Sequence, residues 1–383
     1  MTNEIHLVII WSEAGNKKDK ILNDLSSKFE ILKQYIIGWN TADFSDNLSR
    51  FYGENLPKNS DKEKHCGIGS FYCIIVKDKN PIYDYRNTSK GNRVVNVNLF
   101  DSKQRYRSWT GGGHKIHASD NINESKLQIA LLLGGKYSNY LKLGSNNNGL
   151  VVYNNNIQGN EGWDSFSHLF SVLNECLTYV VLRNFDNLNE ELDALHPDVD
   201  LLVDDKDIAI NILKAKKIHS GKNRVQYSVK ISGKDINFDL RSVSDNYYNE
   251  KWQREILLNK RSFKGVFIPS KQDHFYSLLY HAIIHKRGLT IDYIDKLIEL
   301  SNDIQLNLSK KDFLDKEPLK ILVNHMDITN NVIVVPNDLS VYFNYEILKK
   351  SFNIRLTLAR KTRIFYLHLR VKLRQILNKF KKG

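Results

Sequence analysis

The chain has 383 residues, 41% of them apolar and 11% aromatic, with a formal net charge of +13. Wholesale disorder is excluded, and two or three folded domains are expected. The three cysteines, Cys66, Cys73 and Cys176, are scattered and odd in number, which excludes a disulfide framework and favours a reducing cytoplasm. No run reaches the roughly 18 uncharged apolar residues of a membrane span, and the apolar run after Met1 is too short for a secretory signal.

Residues 1–143 predict an α/β domain. It opens with a strand, an amphipathic helix and a second strand, and the helical connection predicts that these two strands are parallel. The predicted strands are 6–10, 35–39, 71–76 and 94–100, and the predicted helices are 17–34 and 44–52.

A glycine-rich basic segment follows and predicts a phosphate-binding loop. Three consecutive glycines let backbone amides approach an anion, and Ser119 or Asp120 is placed to cap a helix that runs to about Leu133. A helix N-terminus behind such a loop favours phosphate. The candidate phosphate ligands are Lys103, Arg105, Arg107, Gly111, Gly112, Gly113, His114 and Lys115. The alternative is a hairpin loop with a solvated basic rim.

The segment 144–163 is rich in Asn and Gly, a composition typical of a domain border. Residues 151–153 within it predict a short edge strand. We therefore divide the chain into an N-terminal α/β domain at 1–143, a linker at 144–163, a second domain at 164–300 and a helical region at 301–383.

Three aspartates on predicted strands of the second domain form the main candidate site. Asp198 and Asp200 are two residues apart on one strand, so they project from the same face. Asp239 lies in a later apolar run. Clustered carboxylates are costly to bury unless a cation neutralises them, and Mg²⁺ or Mn²⁺ is the expected partner. The alternative is that the first two acids are solvated turn residues and that Asp239 pairs with Arg241 or a lysine.

The order of predicted elements in the second domain is distinctive. A helix precedes a strand that ends at the polar turn Arg183-Asn184, and the strand with Asp198 and Asp200 follows. A helix, a hairpin strand and the strand with Asp239 complete the series. The predicted ranges are 164–176, 178–184, 197–203, 205–217, 224–231 and 236–243.

This order resembles the nucleotidyltransferase fold of the polymerase-beta superfamily. In that fold a strand closes on a Gly-Ser turn, an Asp-x-Asp strand follows, and a later strand carries one acid. The chain looks like members found in bacterial cell-surface polysaccharide assembly, akin to fukutin and LicD-like phosphotransferases. The resemblance implies a mixed α/β (α+β) protein whose nucleotidyltransferase-like domain has a mixed sheet.

Residue roles follow from the resemblance. Asp198 and Asp200 would bind the metal, and Asp239 would complete the site or help deprotonate the acceptor. Arg183, Asn184 and Arg241 would bind the donor phosphate, although Arg183-Asn184 replaces the usual Gly-Ser turn.

The implied function is a Mg²⁺-dependent transferase of surface polysaccharide biosynthesis. It would move a phosphorylated sugar or polyol unit from a phosphorylated or nucleotide-activated donor to a glycan or lipid-linked acceptor. One alternative is a nucleotidyltransferase that adds NMP to a small molecule, RNA or protein. Another is a binding protein without catalysis, for RNA or a membrane, on a decayed scaffold; the presence of all three carboxylates disfavours it.

A predicted helix at 270–286 carries several histidines. His281 and His285 are four apart on one face, but the metalloprotease pattern would also need a Glu after the first. We therefore interpret Tyr280, His281 and Lys286 as lining the acceptor side of the cleft.

The positive charge is concentrated at the C terminus. Twelve basic residues and no acid follow Glu346, so the first 348 residues are close to neutral. Residues 359–382 predict an amphipathic helix whose apolar stripe is Phe365, Leu369, Leu373, Ile376 and Phe380. This pattern favours an anionic membrane at the cytoplasmic face of the cell. Docking on the protein's own core and nucleic-acid binding are the alternatives, and nucleic acid is the less favoured partner.

Overall fold

The structure, a computed structural model, describes residues 3–89, 91–144, 149–186, 188, 198–314, 317–349, 354–367 and 369. The chain divides into two compact units. The first contains Met1–Leu177, Asp207–Ala215 and Val229–Asp235, and the second contains Thr178–Lys206, Lys216–Ser228 and Ile236–Gly383. Both combine helices with strands, so the predicted mixed α/β class is confirmed. The first unit extends beyond the predicted border at 144–163.

The first unit is built on a five-stranded sheet with the order β6-β1-β3-β2-β7, and β4 and β5 form a separate hairpin. Its strands are β1 (Glu4–Ile10), β2 (Glu30–Ile37), β3 (Phe71–Asp78), β4 (Tyr83–Thr88), β5 (Gly91–Asn96), β6 (Ile116–Ala118) and β7 (Leu150–Tyr153). All seven residues of β1 are buried, so both faces of the sheet are covered at this strand.

The first two strands run in the same direction, as predicted, but they are not neighbours. Both pair antiparallel with β3, which lies between them. The helix that connects them, α1 (Lys18–Lys28), is shorter than the predicted 17–34, because the chain has already entered β2 at Glu30. The predicted edge strand is β7, which pairs parallel with β2.

A predicted strand at 94–100 is wrong in its second half. Asn96 accepts a hydrogen bond from the backbone N–H of Leu99 and so caps a helix that begins at Val97. The helices associated with the first unit are α1, α2 (Phe44–Tyr52), α3 (Asp61–Cys66), α4 (Val97–Trp109), α5 (Ile122–Leu133), α6 (Tyr137–Leu141), α7 (Phe166–Cys176) and α8 (Lys206–Leu213).

The second sheet has the order β10-β11-β12-β9-β8. Its strands are β8 (Tyr179–Val181), β9 (Asp198–Val203), β10 (Lys216–Lys217), β11 (Gln226–Ile231) and β12 (Lys234–Ser242). β12 pairs parallel with β9, whereas β8 pairs antiparallel with β9. Five of the six residues of β9 are buried, as expected for a strand in the interior of a sheet.

A buried helix organises the core of the second unit. Ser270 caps it by accepting a hydrogen bond from the N–H of Asp273, and every residue from Asp273 to Ile284 is buried. Its aliphatic and aromatic side chains pack with those of the neighbouring helices. The remaining elements are α9 (Glu250–Leu258), β13 (Arg261–Phe263), β14 (Val266–Ile268), α10 (Lys271–Ile284), α11 (Ile291–Asp303), α12 (Glu317–Ile328) and α13 (Tyr345–Leu348).

Residues 358–367 are also helical. Leu373, Ile376 and Phe380, with the rest of the predicted stripe beyond Leu369, lie outside the described residues. Among those that are described, no helix is long and apolar enough to cross a membrane.

Candidate functional site

The parallel pairing of β9 and β12 brings the predicted carboxylates together. Asp239 lies opposite Asp200, and Asn237 lies opposite Asp198. Paired residues on neighbouring strands project from the same face, and so do residues two apart on one strand. Asp198, Asp200 and Asp239 therefore share one face of the sheet.

The predicted turn after β8 places an arginine beside these acids. Pairing with β9 continues past the strand, because the N–H of Leu182 donates to the carbonyl of Asp200 at 2.9 Å. Asn184 takes a left-handed conformation with φ of 57°, which Asn tolerates better than most residues. Arg183 then forms an ion pair with Asp200, with 2.7 Å between Nη2 and Oδ1.

A second arginine neutralises the acid on β12. Arg241 Nη2 lies 2.9 Å from Asp239 Oδ2, which is the contact named in the alternative interpretation of the sequence. Burial raises the pKa of Asp239, Arg241 partly offsets this effect, and the neighbouring charge of Asp200 raises the pKa further. Both inner acids thus have a guanidinium partner. Asp198, at the start of β9, is exposed.

These ion pairs bear on the expected metal. Carboxylate oxygens are suitable ligands for Mg²⁺, but one oxygen of Asp200 and one of Asp239 are already paired with a guanidinium group. Across the described ranges, no group of three His, Cys, Asp or Glu side chains is arranged to hold a metal. The residues as placed do not fit a metal centre, and Mg²⁺ dependence stays a prediction of the resemblance.

The acid and arginine face opens into a cleft of about 900 Å³ within the second unit. Arg183, Asn184 and Arg241 line it together with the three aspartates. Its polar lining and size suit a ligand as large as a nucleotide. The sequence-predicted residues of this unit are thus brought to one place, with one exception.

That exception is Tyr280, which does not line the cleft. Its ring is fully buried, and its hydroxyl donates to the carbonyl of Val334 at 3.4 Å and accepts from the N–H of the same residue at 3.3 Å. His281 and Lys286 do line the cleft. Residues 280 and 281 point to different sides of α10 because successive helical positions are about 100° apart.

Tyr247 is central to the cleft, although the sequence did not single it out. Its hydroxyl lies 2.6 Å from His281 Nδ1 and accepts a 3.4 Å hydrogen bond from Arg183. The guanidinium of Arg241 lies over its ring at 4.1 Å. Burial raises the pKa of Tyr247, so the phenol stays neutral. The only sequence signal for this residue is the Tyr-Tyr pair that follows the third acid.

The two histidines at the end of α10 are held neutral. Burial, reinforced by Arg183, holds the pKa of His281 well below its usual value. Burial and Arg241 do the same to the pKa of His285.

His285 is also unsatisfied. It lines the cleft and is only 3% exposed, and neither of its ring nitrogens has a hydrogen-bond partner among the residues that the structure describes. Its ring packs 4.2 Å from that of Tyr247. A buried polar group without a partner calls for an explanation, and a missing ligand is one.

Besides Lys296, which has Asp186 at 3.6 Å, three further cations line the cleft: Lys286, Arg287 and Arg363. Within the described part of the chain, none of them lies within 4.0 Å of a carboxylate oxygen. The sequence had indicated only Lys286. Arg363 comes from the helical segment 358–367, far along the chain, so no local pattern could have linked it to the aspartates.

The three glycines of the first unit lie where a helix ends. Gly111, Gly112 and Gly113 all have positive φ, at 80°, 83° and 74°. The N–H of Gly112 donates to the carbonyl of Arg107 at 2.7 Å, so the glycines end α4, as left-handed residues commonly do. They follow the C-terminal end of α4, which carries partial negative charge, and do not lie at the positive N-terminal end of α5.

The expected cap of α5 also differs. Asn121, and neither Ser119 nor Asp120, caps this helix by accepting from the N–H of Glu124 at 2.9 Å. The Glu124 carboxylate in turn accepts from the N–H of Asp120 at 2.6 Å. A carboxylate thus already occupies the helix start where the sequence predicted a phosphate.

The basic residues around the glycines have partners within the protein. Lys103 pairs with Asp120, and Arg105 lies 3.4 Å from Asp24. The remaining two donate to backbone carbonyls, Arg107 to Ile116 at 3.0 Å and Lys115 to Thr110 at 3.1 Å. The ring of His114 lies 5.6 Å from that of His65. The structure therefore leaves no set of free cations in this loop.

Comparison with known proteins adds no relative. No protein-family model, no curated protein and no solved structure matches the chain. What the cleft can do is therefore inferred from its own residues.

Proposed function

We propose that the cleft of the second unit is the active site of a transferase that moves a phosphorylated unit from an activated phosphate donor to an acceptor hydroxyl. The observation that carries this proposal is the pairing of Asp200 with Asp239 on neighbouring parallel strands, each beside an arginine, at the floor of a 900 Å³ cleft. The unit moved would be a phosphorylated sugar or polyol. The acceptor would be a glycan or a lipid-linked glycan of surface polysaccharide assembly, as the resemblance implies.

The strand arrangement supports our proposal that these elements form a nucleotidyltransferase fold. β8, β9, α8, β11 and β12 follow in the order of the nucleotidyltransferase fold, with the acidic strands adjacent and parallel. The turn after β8 departs from that fold, because it carries an arginine side chain that reaches Asp200. We propose that this guanidinium takes over the contact with the donor phosphate.

The residues suit the charge changes of such a transfer. Phosphoryl-type transfer depends mainly on positioning and on stabilising negative charge, and a guanidinium binds phosphate oxygens through two parallel hydrogen bonds. When phosphate engages Arg241, the carboxylate of Asp239 loses its partner. The acceptor oxygen forms the new bond to phosphorus, the bond to the leaving group breaks, and Asp239 accepts the hydroxyl proton. Its raised pKa makes it a better base for this step.

The proposal is tested by incubating the purified protein with nucleoside triphosphates and with nucleotide-activated sugars and polyols, and following the products by ³¹P NMR. We expect turnover of a diphosphate-activated donor with loss of its phosphorylated unit, and turnover that is lower by about 10² to 10⁴ in Asp239→Asn. Transfer of NMP with release of pyrophosphate would instead indicate the alternative nucleotidyltransferase. Parallel reactions with EDTA or added Mg²⁺ measure the expected metal dependence. Turnover by Asp239→Asn at the wild-type rate would contradict both the proposed transferase and the alternative nucleotidyltransferase.

The terminal helix supports a peripheral location at an anionic membrane. Leu358 is 81% exposed, Phe365 68% and Leu369 45%, and their spacings of seven and four place them on one face. On the other side Arg360 is buried and Leu367 lines the cleft. One face thus packs on the protein while an apolar face is presented outward, and we propose that it enters the headgroup region of the membrane.

A further inference from the structure

We propose that Lys286, Arg287 and Arg363 form a separate anion subsite in the cleft, which binds the phosphate or pyrophosphate group of a substrate. The inference deepens the proposed function by naming a second place in the cleft for a phosphate group, in addition to the one at Arg183 and Arg241. It rests on that function only for the identity of the ligand, because anion binding is measured without catalysis.

The first support is the distribution of charge in the cleft. Arg183 and Arg241 are neutralised by Asp200 and Asp239, and Lys296 has Asp186 at 3.6 Å. The three cations of the subsite have no such partner in the described ranges. An anion in the cleft would be attracted by these three cations.

The second support is His285, the residue before Lys286. It is only 3% exposed and lines the same cleft. Neither of its ring nitrogens has a hydrogen-bond partner in the part of the chain that is described. A phosphate oxygen at this place would accept the N–H of the neutral imidazole, which removes the cost of leaving the group unsatisfied. Three cationic side chains and one neutral donor thus line the same cleft.

A simpler explanation accounts for only part of this arrangement. Lys286 and Arg287 follow the C-terminal end of α10, where positive charge complements the helix dipole. That explanation does not cover Arg363, which belongs to the segment 358–367. It also leaves the ring nitrogens of His285 unsatisfied. A phosphate therefore explains more of the observations than the dipole does.

Arg363 is held in place by its own helix. One turn before it, the guanidinium of Arg360 donates to the carbonyls of Val341 at 2.8 Å and Asp338 at 2.9 Å, and also to that of Pro336. These contacts anchor the segment 358–367 to the second unit. The subsite is thus assembled from two segments that are each fixed by buried contacts.

The number of cations indicates the class of ligand. Three cations suit a multiply charged group such as a pyrophosphate, whereas a single carboxylate would leave two of them unmatched. Two sources of this group are possible within the proposed function: the pyrophosphate of a soluble activated donor, and the pyrophosphate of a lipid-linked acceptor. The chemistry that the subsite recognises is the same for both.

Isothermal titration of the full chain with inorganic pyrophosphate, in the presence of EDTA, tests the subsite. We expect Arg287→Gln and Arg363→Gln each to weaken binding about tenfold, since each removes a charged hydrogen bond. Lys271→Gln is the control, because this lysine is in the first turn of the same helix α10, outside the cleft, and pairs with Asp303. Wild-type affinity in both arginine variants, or equal loss in the control, would overturn the inference.

Two further measurements distinguish the two sources of the pyrophosphate and separate the subsite from the proposed transferase activity. Tighter binding of a nucleoside diphosphate than of inorganic pyrophosphate would assign the subsite to a soluble donor, and tighter binding of a prenyl pyrophosphate would assign it to a lipid-linked acceptor. Asp239→Asn should retain pyrophosphate binding while it loses transfer. Pyrophosphate binding without any transferase activity in the wild type would contradict the proposed function and leave the subsite intact.

Discussion

The glycine loop of the first unit and the cleft of the second both have the composition of a phosphate site, but they differ in how their charges are used. In the loop, Lys103 and Arg105 pair with carboxylates, and Arg107 and Lys115 donate to backbone carbonyls. In the cleft, Lys286, Arg287 and Arg363 lack carboxylate partners among the described residues.

The comparison teaches that glycines and basic residues do not by themselves make an anion site. A cation that already has a carboxylate or carbonyl partner must give up that contact before it can bind a ligand, and this cost cancels much of the gain. The glycines end α4, a structural need that any chain with this turn would have. Free positive charge in a cleft is therefore the more informative sign.

The largest expected effect is on catalysis in the cleft. Asp200→Asn or Asp239→Asn should lower transfer by about 10² to 10⁴, because the amide neither accepts the proton nor balances the adjacent arginine. The rate with an activated donor is the measurement. Asp303→Asn, which alters an exposed ion pair outside the cleft, should leave the rate unchanged. Normal thermal unfolding of the two cleft variants would exclude a folding defect, and a wild-type rate in both would remove the cleft from consideration.

Acid should destabilise the second unit through its buried histidines. Burial lowers the pKa of His274 to about 4, and the pKa values of His281 and His285 are also lowered. As pH falls below 6.5 the unfolded chain takes up these protons first, so stability present at neutral pH is lost between about pH 6.5 and 4. For His274 alone the loss is about 3 kcal/mol, at about 1.4 kcal/mol per pKa unit.

Urea unfolding at several pH values measures this loss. Trp252 is the tryptophan of the second unit, so 5-fluorotryptophan at this position reports on that unit through its ¹⁹F signal. His274→Gln should make the pH dependence shallower. A free energy of unfolding that stays constant from pH 7 to 5 would refute the expectation.

The outward face of the terminal helix should bind anionic vesicles. Replacing both Phe365 and Leu369 by Ser should lower partitioning about a hundredfold, because burial of each apolar side chain contributes about 1.4 kcal/mol, which corresponds to a factor of about ten. Ile328→Ser is the control, since Ile328 is 75% exposed on α12. Co-sedimentation with anionic and neutral vesicles gives the measurement. Equal pelleting of all three proteins would exclude this face as the membrane contact.

For substitutions in the glycine loop, we expect no change in pyrophosphate affinity. Arg107→Ala and Lys115→Ala should leave pyrophosphate affinity at the wild-type value, because both side chains donate to backbone carbonyls. The same titration that tests Arg287→Gln measures it. If either substitution weakens binding as much as Arg287→Gln does, the loop is a phosphate site after all and the comparison with the cleft fails.

Much of the local structure could be predicted because it depends on short patterns. Alternation on β9 places Asp198 and Asp200 on one face whatever the rest of the chain does. The apolar periodicity of α10 and the glycine that ends α2 are local in the same sense. The errors at 94–100 and at the start of α5 arose where a single side chain, Asn96 or Asn121, decides a boundary through one capping hydrogen bond.

The composition of the site was decided by tertiary structure. The sequence predicts that Asp239 belongs with the other acids only through a resemblance, whereas the register of β12 on β9 sets which residues are opposite. The contacts of Arg183 with Asp200 and of Tyr247 with His281, and the arrival of Arg363 in the cleft, join segments distant in sequence. Periodicity assigns a side chain to a face of its own element, but the partner on that face is chosen when distant elements pack.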